Sequence, residues 1–291
     1  MRSTLHLFIC FFTFLSVTYS SSAQTPVEVL PSGHIIIKAS VNGVEGKFFF
    51  DTGGGINLLT KKFADKVKNI KKEDGYFTGF RATGERLDVP LYKAQTISIG
   101  NWTYKQPTLT ILDVDLASYD GLISMNLFEN QPFTLDLNQN LFTLETAKSL
   151  DKKQGQKVGL QIQKERGVAV SLFTYVVLNE TDTLQFSLDS GAGNNTFSIH
   201  SRYAQSTGID LSDTTKVKSF LRKSEFNPNV QTGYYVTSVK KLQLKDAAPV
   251  NIENFTTRFT TDLIYDGIMS INWFGKVISI DIKNATMIVG K

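Results

Sequence analysis

The sequence predicts a mainly β protein in which one β-rich unit occurs twice. Strand-like apolar runs dominate the chain, and helical segments are few. A short acidic motif occurs twice, as Asp51-Thr52-Gly53 and as Asp189-Ser190-Gly191, each time at the end of a strand-like run. A longer block, residues 120–128, recurs as residues 266–274. Because motif and block follow each other in the same order twice, the sequence indicates two homologous units related by a pseudo-twofold axis.

The first unit begins with a predicted hairpin. The apolar run 35–41 is followed by Asn42-Gly43 and a second run, residues 44–50, that leads into Asp51. Asn-Gly between two apolar runs is the strongest short signal for a β-hairpin. A short helix is predicted over residues 60–67, with Thr60 as its N-cap.

The second unit has the same predicted order. Runs 168–177 and 184–188 flank a polar turn at residues 179–182, and the second run leads into Asp189. A short helix is predicted over residues 198–205, closed by Gly208. We therefore expect one short helix in each unit.

The later blocks of the two units match closely. They share Asp, Gly, Ser, Asn and Phe at equivalent positions, namely Asp120 and Asp266, Gly121 and Gly267, Ser124 and Ser270, Asn126 and Asn272, and Phe128 and Phe274. Two further strands are predicted after each block, over residues 133–137 and 141–144 in the first unit and 278–282 and 286–289 in the second. The alternative interpretation is a double β-sandwich whose repeats serve packing alone.

The N-terminal segment is typical of a secretory signal peptide. Arg2 is followed by an apolar run over residues 5–17 and by small residues up to Ala23, after which we expect cleavage. The apolar run is short for a bilayer span, so no permanent membrane span is expected. We predict a signal peptide (1–23), an N-terminal lobe (24–147), a linker (148–157), a C-terminal lobe (158–291), and export to the periplasm or the medium.

Composition excludes several functional classes. Cys10 is the only cysteine and lies in the predicted leader, so a Cys nucleophile and Cys-ligated metals are excluded from the mature chain. Only His34 and His200 remain of the histidines, so we expect no metal and no organic cofactor. The net charge of +4 is spread without a dense basic block, which argues against a nucleic-acid partner.

The paired motifs indicate acid–base chemistry. If Asp51 and Asp189 meet about 3 Å apart, at an effective dielectric constant near 20 the two negative charges repel by roughly 5 kcal/mol. The pair then holds one proton over a broad pH range. One carboxylate activates a water molecule as general base, while the other donates its proton to a carbonyl oxygen. The neighbours predicted to support this pair are Thr52, Gly53, Ser190 and Gly191.

These residues resemble the pepsin/retropepsin superfamily of aspartic proteases, in a two-lobed bacterial type. Both acidic motifs match the family's Asp-Thr/Ser-Gly signature, and blocks 122–128 and 268–274 match its later hydrophobic block. The resemblance implies two acid-protease-like β-barrel lobes with Asp51 and Asp189 as the catalytic dyad, acting on a peptide or protein substrate. It also implies a β-hairpin flap, with Tyr76, Gly79 and Phe80 as candidate residues. We expect a monomer.

Two departures from the family pattern motivate a second hypothesis. Ser124 and Ser270 stand where the family usually has Gly, and the first acidic turn continues as Gly53-Gly54-Gly55. An exported protein could therefore keep the fold and bind peptides without hydrolysing them. A third, weaker hypothesis is a precursor that processes itself within the leader or linker.

Overall fold

The computed structural model describes residues 24–193, 197–224, 229–245 and 251–290. The predicted signal peptide, residues 1–23, lies outside this part of the chain. The described residues form a mainly β fold, as predicted, with two short α-helices.

The strands up to residue 144 are β1 (Gln24–Val29), β2 (Ile35–Val41), β3 (Val44–Asp51), β4 (Asn57–Thr60), β5 (Lys71–Phe80), β6 (Arg86–Lys93), β7 (Thr96–Ile99), β8 (Trp102–Lys105), β9 (Thr108–Leu112), β10 (Gly121–Ser124), β11 (Phe133–Asp136) and β12 (Leu141–Leu144). The remaining strands are β13 (Gln156–Gly159), β14 (Gln161–Glu165), β15 (Ala169–Leu178), β16 (Asp182–Leu188), β17 (Phe197–His200), β18 (Lys218–Lys223), β19 (Gln231–Leu244), β20 (Asn251–Thr260), β21 (Gly267–Met269), β22 (Val277–Asp281) and β23 (Thr286–Gly290).

The predicted hairpin at Asn42-Gly43 is confirmed. Strands β2 and β3 pair up to Val41 and Val44, so the turn has two residues. Asn42 and Gly43 both have positive φ angles, of 48° and 85°, which is the conformation of a type I′ turn. This backbone conformation explains why Asn and Gly stand at the turn.

The two α-helices begin at capped positions. In α1 (Lys61–Ala64) the Thr60 hydroxyl accepts the N–H of Phe63 at 3.2 Å, so the predicted N-cap is confirmed and the helix ends before residue 67. The sequence did not predict α2 (Ala147–Leu150), which begins with a capping box between Thr146 and Ser149. This helix and the first residues of β13 overlap the predicted linker, residues 148–157.

The helix predicted over residues 198–205 is wrong in its first part. Ser198 and Ile199 lie in β17, which pairs in parallel with β20 and antiparallel with β21. Only a single 3-10 turn, Ser201–Tyr203, follows. Hydrogen bonding on both sides of the segment overrides its local helical signal.

The strands form two extended sheets. The larger has the order β13-β23-β22-β11-β12-β1-β2-β3-β10-β4-β9-β6-β5, with β7 and β8 attached at β2. The smaller has the order β14-β15-β16-β21-β17-β20-β19-β18. Strands β22 and β23 come from the second sequence unit but lie in the larger sheet. The central pair β11–β22 joins the units antiparallel, with Thr134 opposite Ser279 and their hydroxyls 2.8 Å apart.

Aromatic side chains dominate the core on both sides of the acidic motifs. Phe50, next to Asp51, packs against three buried rings, those of Phe128, Phe133 and Phe142. In the second unit Phe197 contacts the rings of Phe186, Phe255 and Trp273. The strands that carry the two aspartates are therefore anchored in packed interiors. Within the described ranges, no helix has the length and apolar character that a membrane crossing requires.

Candidate active site

The two acidic motifs lie at the ends of two strands that have equivalent neighbours. Asp51 ends β3, which pairs in parallel with β10, so that Ser124 lies opposite Asp51. Asp189 directly follows β16, which pairs in parallel with β21, and its N–H donates to the Met269 carbonyl at 2.8 Å. Each acidic motif is thus held beside the later block of its own unit.

Thr52 and Ser190 join the two motifs by reciprocal hydrogen bonds. The Thr52 N–H donates to Ser190 Oγ at 3.0 Å, and the Ser190 N–H donates to Thr52 Oγ1 at 2.9 Å. Each hydroxyl in turn donates to a backbone carbonyl of the opposite strand, Thr52 to Leu188 at 2.8 Å and Ser190 to Phe50 at 2.6 Å. Both side chains have no exposed surface. This buried exchange fixes the position of one acidic turn relative to the other.

The two acidic turns bring the side chains of Asp51 and Asp189 close together, and the carboxyl groups influence each other's pKa. Two glycines lie against the carboxyl group of the opposite motif. A Cβ atom at Gly53 would lie 2.5 Å from Cγ of Asp189, and one at Gly191 would lie 2.5 Å from Cγ of Asp51. Any side chain at either glycine would therefore push the carboxyl groups apart.

The environment raises the pKa of both carboxyl groups, to different extents. Burial raises the pKa of Asp51, while its hydrogen bonds to backbone N–H groups and to Asp189 oppose this rise. The N–H donors to Asp51 belong to Gly53, Gly54 and Gly191. Burial, followed by the charge of Asp51, raises the pKa of Asp189 well above its ordinary value. Both carboxyl groups therefore keep a proton to a higher pH than an ordinary aspartate does.

A buried hydrogen-bond network lies beside the first acidic motif. The Ser124 N–H donates to Asn57 Oδ1 at 2.9 Å, while Asn57 Nδ2 and Ser124 Oγ donate to Asn126 Oδ1 at 2.6 and 2.9 Å. Asn126 Nδ2 donates to the Val168 carbonyl at 2.8 Å and so reaches the second unit. Sequence reasoning missed Asn57, although a polar residue that opens the short apolar strand β4 is a signal that could have identified it.

The hairpin β5–β6 reaches across to the second unit. The Ala82 carbonyl at its tip accepts the N–H of Ile264 at 2.9 Å. Arg81 donates to Ser224 Oγ at 3.2 Å, and Ser224 donates to Glu85 at 2.5 Å. The tip, residues 81–85, therefore bridges the two units in this structure.

The candidate flap residues lie on both faces of this hairpin. Tyr76 and Phe80 are 60% and 57% exposed, on one face of β5. Phe77 lies on the opposite, half-buried face, which also includes Gly79. Since successive residues of a strand face opposite sides, the candidate flap residues Tyr76 and Phe80 share one face and Gly79 lies on the other. Gly79 lies opposite Leu87 on β6.

The described residues contain no group of three or more His, Cys, Asp or Glu side chains suited to a metal ion. His34 instead contacts the Ser32 hydroxyl through Nδ1 at 2.7 Å, and His200 accepts the N–H of Arg202. Both histidines thus take part in local turns.

Part of the first unit is similar to a known protein family. Residues 37–127 match the sequence model of a family described as aspartyl protease. The matched region includes Asp51 and the network of Asn57, Ser124 and Asn126, whereas Asp189 lies outside it. A search of curated proteins finds no match to the chain. The match shows that residues 37–127 are similar to aspartyl proteases.

Proposed function

We propose that the protein is an aspartic endopeptidase whose catalytic dyad is Asp51 and Asp189. The observation that carries this proposal is the meeting of the two acidic turns, which the Thr52–Ser190 exchange holds together with each carboxyl group against the glycine of the opposite motif. Aspartic proteases use two carboxyl groups that share one proton. The resulting pKa values belong to the pair and not to either group alone.

In the proposed mechanism, the peptide binds as an extended chain and a water molecule lies between the two carboxyl groups. Asp51, ionised, removes a proton from the water, whose oxygen adds to the peptide carbonyl carbon. Asp189, protonated, donates its proton to the carbonyl oxygen, which gives a neutral tetrahedral diol. The diol then collapses: Asp51 gives the proton it took from water to the amide nitrogen, Asp189 takes a proton from one diol hydroxyl, and the C–N bond breaks to release the amine and the carboxylic acid. The pKa order of the two groups supports this division of roles.

The proposed architecture is that of two homologous β-barrel lobes related by a pseudo-twofold axis. We assign residues 24–147 and 158–291 to the lobes and residues 148–157 to the linker. The equivalent pairs β3–β10 and β16–β21 support the pseudo-symmetry. In this arrangement the β5–β6 hairpin is the flap. We further propose export after cleavage near Ala23 and function as a monomer on peptide or protein substrates.

A digest of a peptide library, with and without pepstatin, tests the proposed activity. We expect cleavage that pepstatin inhibits and that is absent in Asp51→Asn and Asp189→Asn. The competing function is an exported peptide-binding protein without turnover, which would bind library peptides and leave them intact. The close approach of the two acidic motifs favours the protease, because the binding-only hypothesis assumes that the carboxyl groups are too far apart or wrongly bonded to share a proton.

Mass spectrometry of the exported protein tests the processing proposals. An N-terminus at Gln24 is expected if the leader is removed after Ala23. A new terminus within residues 148–157 that disappears in Asp189→Asn would instead indicate self-processing.

A further inference from the structure

The repeated blocks share a tyrosine that the proposed dyad does not use. Tyr119 precedes Asp120-Gly121, and Tyr265 precedes Asp266-Gly267. The acids after them have the same role, because Asp120 accepts the N–H of Lys47 and Asp266 accepts the N–H of Gln185. The two tyrosines have different surroundings.

Tyr119 belongs to an aromatic stack. Its ring centroid lies 4.6 Å from that of Phe49, which lies 5.4 Å from the ring of His34. His34 in turn lies beside Gly193, at the end of the second acidic turn. The surroundings of Tyr119 are therefore built mainly from rings.

Tyr265 has one ring neighbour, and the hydroxyls of both tyrosines form no hydrogen bond with the described residues. Its ring centroid lies 5.4 Å from that of Phe173, which is buried. The Tyr265 side chain is half-buried, and no hydrogen bond joins its hydroxyl to another residue in the described part of the chain. A phenol that is partly removed from water without a partner leaves a strong donor unused.

A backbone contact places Tyr265 beside the hairpin tip, and the charge of Asp189 reaches its hydroxyl. Its chain neighbour, Ile264, donates its N–H to Ala82 of the tip at 2.9 Å. Burial raises the pKa of the Tyr265 hydroxyl, and the charges of Asp189 and then Glu165 add to this rise, so the ring lies within the electrostatic range of the acidic pair. A peptide held under the tip beside Asp189 would lie against this side chain.

An extended peptide presents backbone carbonyl groups at regular intervals. When such a peptide covers Tyr265 it removes the remaining water from the hydroxyl, and an acceptor on the peptide must then replace that water. We propose that Tyr265 donates a hydrogen bond to a backbone carbonyl of the bound peptide on the Asp189 side, and so positions the peptide relative to the dyad. This inference rests on the proposed function.

Steady-state kinetics on a fluorogenic peptide chosen from the library digest, together with calorimetric binding of pepstatin, test the role of Tyr265. Tyr265→Phe keeps the ring that packs against Phe173 and removes only the hydroxyl. We expect the KM and the pepstatin Kd to rise about tenfold, while kcat stays within about twofold, because the lost bond forms in the ground state and the transition state alike. Tyr119→Phe is the matched control, with both constants within about twofold of wild type.

Unchanged KM and Kd in a Tyr265→Phe variant of wild-type thermal stability would overturn the proposal. Equal losses in Tyr119→Phe would overturn it too, because the effect would then not depend on the hydroxyl of Tyr265. If wild type binds pepstatin but cleaves nothing, the proposed protease fails, and a weakened Kd in Tyr265→Phe still supports the peptide contact. A wild-type protein that neither cleaves peptides nor binds pepstatin overturns both.

Discussion

The first and second copies of the repeated block keep the same polar residues but bury them in different surroundings. Below Asp51, Asn57 connects Ser124 and Asn126 in a buried network. In the second copy, the strand register places Phe197 opposite Met269, as Asn57 stands opposite Ile123 in the first. Phe197 offers a ring where the first copy offers an amide.

Because Phe197 stands where the first copy has Asn57, polar atoms of the second copy have no hydrogen-bond partner among the described residues. Ser270 Oγ and Asn272 Oδ1 are buried and form no hydrogen bond with the described residues. The rings of Phe255 and Trp273 pack around Phe197 instead, at centroid distances of 4.5 and 5.4 Å. A repeated residue therefore does not imply a repeated contact, because its partner comes from another strand that has diverged.

The surroundings of the two aspartates also differ in polarity. Asp51 is 8% exposed and accepts N–H groups from both acidic turns. Asp189 is partly exposed, and the charge of Asp51 contributes to the rise of its pKa. The first copy thus provides the more polar surroundings for its carboxyl group.

The largest effect is expected from removing either acid. Asp51→Asn and Asp189→Asn should each lower kcat about 10²–10⁴-fold, since each acid moves a proton in the proposed mechanism. Rates on a library-derived peptide measure the loss, and Asp151→Asn, at an exposed position, is the control. Cleavage at the wild-type rate by either variant would contradict equal participation of the two copies.

The pH dependence of kcat/KM should show up to which pH the carboxyl pair keeps its proton. Hydrolysis requires one proton on the pair, so kcat/KM should fall on the alkaline side only at a pH well above 3.8, the ordinary pKa of Asp189. A pH–rate profile measures this limit. An alkaline limit near the ordinary value would show that Asp189 does not hold the shared proton.

The same shift predicts a change in stability with pH. A raised pKa means that the folded state binds the proton of Asp189 more tightly than the unfolded chain does. This contribution is complete below the unfolded pKa and is lost as the pH rises through the raised folded pKa. Urea unfolding should therefore show that wild type loses stability relative to Asp189→Asn over that window. A constant difference would contradict the shift.

Loss of the central amide should destabilise the first copy. Asn57→Ala leaves the buried Ser124 N–H without its acceptor and removes one of the two donors to Asn126 Oδ1, which we expect to lower the free energy of unfolding by about 2–4 kcal/mol. Urea unfolding measures it, with the exposed Asn101→Ala as control. If both variants lose the same stability, the network does not support the fold.

Substitution of the two equivalent serines should have the smallest effects, and it tests the difference between the two copies most directly. Ser124→Ala removes a hydroxyl that donates to Asn126 and should lower the free energy of unfolding by about 1 kcal/mol. Ser270→Ala removes a buried hydroxyl without a partner and should be neutral or raise it by up to about 1 kcal/mol. Paired unfolding curves distinguish the two, and equal losses would mean that the serines are equivalent after all.

The sequence by itself determined the features that depend on neighbouring residues. The mainly β class, the turn at Asn42-Gly43 and the Thr60 cap follow from local conformational preference and local hydrogen bonding. The two acidic motifs were also visible without coordinates, because an internal repeat is a property of the sequence alone.

Only the tertiary structure decided the features that depend on distant partners. Ser198 became part of a strand because β20 and β21 flank it, and the exposed face of the hairpin carries Tyr76 because strand register assigns the faces. The role of Asn57 likewise depends on a partner 67 residues away. Non-local pairing sets register and burial, and no local pattern in the chain records which partner each residue will meet.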